Sequence, residues 1–283
     1  MERRDLSILI TGCSSGIGEH VALALHERGY RVFATARKSE AVARLKSRGL
    51  EALQLDLDDS SSIQSAVQEV LSRTGGSLYA LFNNGGYGQP GAVEDLSRAA
   101  LRAQLETNLL GWLELTNAVL PAMRRQGRGR IIQNSSVLGF VGLRLRGAYV
   151  SSKFAVEGLS DVLRQELHGS GIHVSLIEPG PIRSHFRANA FLAYRRFIRP
   201  KNSHWRETYA RAERRLASHE REAPFTLGPE AVLKAVVHAL EARWPRARYR
   251  VTFPTHLFAV LKWLLPTRAL DTVLRAVSRG ENR

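Results

Sequence analysis

A chain of 283 residues has room for one large α/β domain with a well-buried core and is short for two independent ones. Hydrophobic residues at 44% and charged residues at 24% place it among soluble globular proteins and exclude disordered and fibrous classes. The 41 Lys and Arg against 26 Asp and Glu leave a formal charge of +15, a field that favours polyanions. Neither a convincing base-stacking pattern of aromatics among the basic residues nor a nucleic-acid reading motif is found, so nucleic-acid binding is not expected, and a solvated basic face is the simpler account of the excess.

From the N-terminus, Met1 to Asp5 runs straight into the strand-like segment 6–11, so no cleavable signal is expected. The next element, from Thr11-Gly12-Cys13-Ser14-Ser15-Gly16-Ile17-Gly18 into a helix over 17–28, has the strand-to-helix context of a phosphate-binding loop. Gly12 permits a sharp turn, Gly16 lets the backbone approach a pyrophosphate and Gly18 allows close packing of helix on sheet. The helix N-terminus adds free N–H donors and a favourable dipole. Cys13, the single cysteine, forbids an intramolecular disulfide, fits a cytoplasmic location and is read as a small loop residue. A second strand, 31–35, ends at Arg37-Lys38, where an NAD-binding chain would carry an acid for the ribose 2′-hydroxyl. With no acid there, Arg37, Lys38 and Ser14 suit an additional 2′-phosphate, which points to NADP(H).

Helices over 41–47 and 60–72 and strands over 52–55 and 78–83 continue the alternation, which argues βαβ units joined into a parallel sheet. One long helix is predicted over 100–126, followed by a strand over 130–135 and a helix over 148–168. Near the start of that last helix, Tyr149 and Lys153 stand four apart and project from one face. An ammonium beside a phenol favours the phenolate, so Tyr149 is the candidate proton-transfer group. Strands over 173–177 and 249–253 flank a helix over 229–242, and seven strands fit one doubly wound layer. The polar, Arg-rich stretch 184–225, with the aromatics Phe186, Phe191, Tyr194, Phe197 and Trp205, breaks the rhythm; a helical substrate lid lining the open side of the site and an ordinary surface helix pair are both compatible with its spacing. The tail from 255 carries apolar residues at helical spacing on both sides of Pro266, and two short amphipathic helices are predicted there. Covering the core, forming a subunit contact and lying on a membrane surface all remain open for it; its apolar run is too short to span a bilayer. The nine His lack ligand spacing, and no metal site is expected.

Taken in order, the glycine loop, Asp56, Asn83-Asn84-Gly85-Gly86, Asn108, Ser136, Tyr149/Lys153 and Glu178-Pro179-Gly180-Pro181-Ile182-Arg183-Ser184 resemble the short-chain dehydrogenase/reductase family over most of the chain. The resemblance implies a Rossmann-type sheet of about seven strands with helices on both faces, and a nicotinamide cofactor. It also implies roles. Tyr149 is the general acid/base, Lys153 holds the nicotinamide ribose, Ser136 hydrogen-bonds the substrate oxygen and Asn108 supports a proton relay. Gly12, Ser14, Ser15, Gly16, Ile17 and Gly18 hold the phosphates. Asp56 and Leu57 flank the adenine, Asn84 and Gly85 line its ribose, and Pro179, Gly180 and Ile182 pack on the nicotinamide. Two departures are Gly85, where the family usually has Ala, and Ser184, where Thr is common after Pro-Gly.

Between Ser136 and Tyr149, the residues Phe140, Val141, Leu143 and Leu145 are expected to form an apolar wall, which favours a lipophilic carbonyl or alcohol, with Phe140 touching it. The chain looks similar to retinol dehydrogenase and 17β-hydroxysteroid dehydrogenase-like members and to bacterial NADP-dependent aldehyde reductases. Reduction of a 3-oxoacyl thioester and non-catalytic NADPH binding are the alternatives. By the family's habit, a homodimer or homotetramer is expected through the helices containing 100–126 and 148–168.

Overall fold

The strands that the alternation predicts assemble into a parallel sheet. In a computed structural model, which describes residues 3–217 and 223–281, seven strands lie in the order β3-β2-β1-β4-β5-β6-β7 and every pairing is parallel. They are β1 (Ser7–Ile10), β2 (Arg31–Ala36), β3 (Glu51–Gln54), β4 (Ala80–Asn83), β5 (Gly129–Asn134), β6 (Ile172–Glu178) and β7 (Arg248–Arg250). Residues 218–222 of the Arg-rich insertion and 282–283 of the tail lie outside the described residues.

Period-two alternation explains how one sheet buries two faces. Ile8 and Ile10 of β1 point to the side covered by α1 (Gly16–Glu27), α2 (Ser39–Ser47) and α9 (Glu230–Glu241), through Val21, Leu25, Leu45, Val232 and Val236. Leu9 points to the other side, covered by α3 (Ser60–Arg73), α5 (Gly111–Arg125) and α6 (Gly147–Glu166), through Ile63, Val70, Trp112, Leu115 and Val156. Because β1 through β3 run outward in one direction and β4 starts on the opposite side of β1, the crevice at the β1/β4 carboxyl ends is the switch point where such sheets take ligands.

Three expectations need correction. The helix predicted over 100–126 is divided: α4 (Arg98–Leu105) passes into a π-helical turn, Glu106–Leu110, before α5 begins. The extra residue in that turn rotates Asn108 inward, where it is fully buried. The last strand ends at Arg250 rather than at residue 253, because Phe253 and Pro254 open α10 (Phe253–Leu264), where a proline in the first turn loses no helical hydrogen bond. Third, Leu145 leaves the predicted wall. It has φ +62° and packs with the insertion, while Phe140, Val141 and Leu143 join Tyr149 in a cluster closed by α10 and α11 (Thr267–Glu281).

The insertion forms α7 (Phe186–Phe197) and α8 (Arg206–Ala217) over their own small core of Ala190, Tyr194, Ile198, Tyr209 and Leu216. Its anchor is Asp95 in the loop after β4. Asp95 Oδ2 accepts from Tyr209 Oη and from Ser203 Oγ, each at 2.6 Å, and Tyr209 Oη in turn accepts from Ala92 N at 2.8 Å. Among the described residues no helix is long and apolar enough to cross a membrane.

Candidate active site

At the carboxyl end of β1 the chain must turn into α1 across the neighbouring β4 loop, and the glycines are where it passes. Gly12 and Gly16 have φ of +72° and +61°, values that L side chains adopt only at a cost. A Cβ on Gly12 would lie 2.5 Å from Gly85 Cα, and one on Gly18 would lie 2.3 Å from the Gly12 carbonyl oxygen. Thr11 Oγ1 accepts from the backbone N–H groups of Asn84 and Gly85 at 2.9 Å, and Asn84 Nδ2 donates to Thr11 O at 2.9 Å. The Asn84 amide therefore ties the two loops together, and its Oδ1 accepts from Asn134 Nδ2 at 2.9 Å. Gly85, the departure from the family's Ala, sits against Leu57 Cδ1, which a Cβ would approach to 3.0 Å.

Ser15 caps α1 without a side-chain hydrogen bond, so the first-turn N–H groups of Gly16, Ile17 and Gly18 are a donor set that fits a pyrophosphate. Cys13 is buried, and burial pushes its thiol up to about 12, which leaves it a packing residue.

Ser14, Arg37 and Lys38 are all exposed at the rim of this crevice, Arg37 at the end of β2 and Lys38 capping α2. A third cation that the sequence did not single out stands with them. Arg44, from the middle of α2, donates to the carbonyl of Ser14 and pairs with Glu19 at 3.5 Å. Asp56, half-buried after β3, is fixed by its own turn: its N–H donates to Ser62 Oγ at 3.0 Å and its Oδ1 accepts from Asp58 N at 3.2 Å. On the far side, Pro179 O accepts from Val137 N at 2.8 Å, Gly180 lies so close to Thr252 that a Cβ would come within 2.2 Å of its Oγ1, and Ile182 bridges to Leu227.

Four side chains meet at the inner end of the crevice. Ser136 and Tyr149, each 9% exposed, stand side by side, the serine hydroxyl acting to favour the phenolate, and Ser136 Oγ accepts from Leu138 N at 3.1 Å. Lys153 is buried one turn after Tyr149 and donates from Nζ to Asn134 O at 2.8 Å, with the Trp112 ring centre 4.2 Å away. Trp112 Nε1 donates to Gly85 O at 2.7 Å, so the indole joins the lysine to the β4 loop. Asn108 Nδ2 donates to Tyr87 O at 2.9 Å and to Ser152 Oγ at 3.2 Å, while its Oδ1 accepts from Tyr87 N at 3.1 Å. Its side chain holds the π-helical turn against the loop after β4.

The electrostatics differ from the expectation that the ammonium acidifies the phenol. Burial pushes Tyr149 up to about 12, and burial brings Lys153 down to about 7, with Glu157 one turn on acting to raise it. Lys153 Nζ lies 5.7 Å from the centre of the Tyr149 ring and is directed at Asn134, so in the protein alone desolvation of each group exceeds their mutual effect. Behind them, Glu157 Oε2 accepts from Arg248 Nε at 3.2 Å, and the same Nε lies 3.1 Å from Glu178 Oε1, bracing the carboxyl end of β6. Burial raises both of these carboxyls, Glu178 to about 7.

Phe186, one of the aromatics of the insertion expected to line the open side of the site, stands at the front. Its ring meets that of Tyr149 edge-on with centres 5.3 Å apart, and a Cβ on Gly88 would lie 2.8 Å from it. Phe140 is half-buried beside Val141, its carbonyl accepting from Lys262 Nζ at 2.7 Å. Among the described residues no group of His, Cys, Asp and Glu is arranged to hold a metal ion.

Comparison with known proteins agrees with this arrangement. The family model described as short chain dehydrogenase matches residues 7–194. The chain is 43% identical over 269 residues to the uncharacterized oxidoreductase YbbO of Escherichia coli (strain K12), covering 95% of this chain and 94% of that one. It is 36% identical over 260 residues to human 17-beta-hydroxysteroid dehydrogenase type 1, covering 87% and 77%. A short-chain dehydrogenase structure from Streptomyces avermitilis superposes with a TM-score of 0.76 at 30% identity, covering 97% of this chain and 98% of the other. The glycine crevice at the sheet's switch point and the match along its length lead to one assignment: the chain belongs to the short-chain dehydrogenase family.

Proposed function

We propose that this protein is an NADP(H)-dependent oxidoreductase that moves a hydride between the nicotinamide and the carbonyl or alcohol carbon of a lipophilic substrate. The observation that carries the reading is the buried set of Ser136, Tyr149 and, one turn on, Lys153 bonded to Asn134 O, at the inner end of the glycine-lined crevice.

The residues fit the cofactor. Gly12, Gly16 and Gly18 leave the space, the uncapped start of α1 offers N–H donors to the pyrophosphate, and Arg37, Lys38, Arg44 and Ser14 gather at the rim for a 2′-phosphate. Bound there, NADPH supplies the hydride in the reducing direction. Ser136 and Tyr149 hold a carbonyl oxygen between two hydroxyls, and Tyr149, protonated throughout the neutral range, delivers the proton as charge develops on that oxygen. Lys153, one turn on and held at Asn134 O, would anchor the ribose side. Phe186 and Phe140 exclude water and offer apolar surface, which favours aliphatic or polycyclic carbonyls over sugars. The name of the human relative, a steroid dehydrogenase, supports the lipophilic class.

NADPH oxidation by the purified protein across aldehydes of increasing chain length tests the reading. Turnover efficiency should climb with length, and Tyr149→Phe should lower it by roughly a hundredfold or more. Efficient turnover confined to short polar carbonyls would remove the lipophilic class, and full activity in Tyr149→Phe would remove the mechanism.

A further inference from the structure

One helix of the tail is apolar on both sides. The inner side of α10 brings Phe258 and Leu261 into the cluster containing Leu138 and Tyr149, and Lys262 clamps it there by its bond to Phe140 O and by resting over the Phe154 ring at 5.4 Å. On the outer side, Phe253, Leu257, Val260 and Leu264 recur at helical spacing, each at least 40% exposed, with Trp263 beside them at 84%. Exposed apolar residues scattered singly are ordinary; a continuous ridge is not.

A second observation lies at the start of the ridge. Phe225 has φ +61°, a conformation that a bulky residue keeps only where its surroundings impose it, yet its side chain is 60% exposed. Its ring centre is 5.0 Å from that of Phe253, so the strained backbone extends the ridge by an aromatic pair. The next helix is basic on its outer side. Leu270, Val273, Leu274 and Val277 of α11 face the core cluster, while Arg268, Arg275 and Arg279 are exposed, with Asp271 as the acid among them.

We propose that the outer ridge of α10, together with Phe225, docks onto the surface of an anionic lipid bilayer, with α10 lying in the interface plane and the arginines of α11 meeting the headgroups. An apolar ridge ending in a tryptophan and bordered by a basic stripe is the composition of an interfacial helix, and no described helix is able to cross the membrane. The chain's +15 charge adds long-range attraction. A second copy is a poorer occupant, because a two-fold contact over this ridge would draw like-charged stripes of both copies toward one seam. The inner side of α10 packs in the Tyr149 cluster, so docking would set the candidate site beside a lipid reservoir. That consequence rests on the proposed function; the docking does not.

Cosedimentation of the full chain with phosphatidylcholine vesicles, with and without phosphatidylglycerol, tests it. Wild-type protein should partition to the anionic vesicles and lose binding as salt is raised. Leu257→Ser/Val260→Ser/Leu264→Ser should reduce the partition coefficient by about tenfold per residue. Arg268→Gln/Arg275→Gln/Arg279→Gln should reduce it by about fivefold per charge on anionic vesicles only. Thermal melting checks that each variant is folded and turnover is assayed separately, so an absence of turnover would count against the proposed reaction alone. The proposal is overturned if wild-type protein fails to sediment with anionic vesicles, if the serine variant binds as well as wild type, or if the ridge proves to be a dimer contact that the serine variant dissociates.

Discussion

At the scale of single residues, the site is governed by burial. Tyr149, pushed up to about 12, carries its proton across the neutral range, which under the proposed reaction equips it as an acid for reduction and leaves only a small fraction as the base that alcohol oxidation would need. That fraction grows tenfold per pH unit below the phenol's own value. Initial rates in both directions should therefore diverge with alkalinity: kcat/KM for alcohol oxidation rises toward a slope of one, while carbonyl reduction stays level through neutrality. Parallel profiles would show that another group moves the proton. Under the proposed NADP(H) reading, cofactor choice also comes down to a few side chains. A guanidinium bonded to a phosphate contributes about 1.5–3 kcal/mol, so Arg37→Asp with Arg44→Ala should lower the NADPH-over-NADH preference in KM by a hundredfold or more. An unchanged ratio would take the 2′-phosphate away from this rim.

Among the secondary-structure elements, what the sequence reveals and what it conceals divide by the range of the forces involved. Parallel strands buried on both faces appear as apolar runs, and a loop that must pass within touching distance of another backbone demands glycine, so the sheet and the β1–α1 turn were legible. The same closeness makes the turn fragile: Gly18→Ala places a methyl carbon 2.3 Å from a backbone oxygen, and the turn must open to admit it. Loss of at least tenfold in NADPH affinity, measured by fluorescence titration, is expected, along with a melting temperature lower by several degrees. The π-helical turn was not legible. Ala100 and Gln104 before it and Leu115 and Val119 after it both satisfy a helical period, and nothing local marks the extra residue that turns Asn108 inward. Arg44 was equally silent and the insertion's aromatics were marked only as a group, because the places of Arg44 beside Ser14 and of Phe186 beside Tyr149 arise from packing between elements distant in sequence. The start of α10 was the opposite case. Pro254 marked a first helical turn, and the apolar run through Phe253 masked it.

On the scale of the whole molecule, the α10 ridge is not the only apolar face in contact with water. Leu110 and Leu113 near the start of α5, and Phe154, Leu159 and Val162 along α6, are each at least 40% exposed, on the two helices through which the family's habit leads one to expect self-association. The two faces differ in chemistry: the ridge is bordered by the arginine stripe of α11, whereas a two-fold contact of α5 and α6 with their counterparts would bury apolar side chains in an isologous seam. Sedimentation velocity should show a dimer that Leu113→Glu/Val162→Glu converts to monomer, since two carboxylates would then be desolvated in each half of the contact. Vesicle binding should persist in that monomer, because the ridge is untouched. If the glutamate variant remains dimeric, the α5/α6 face is not the seam, and if it loses vesicle binding, the two faces do not act independently.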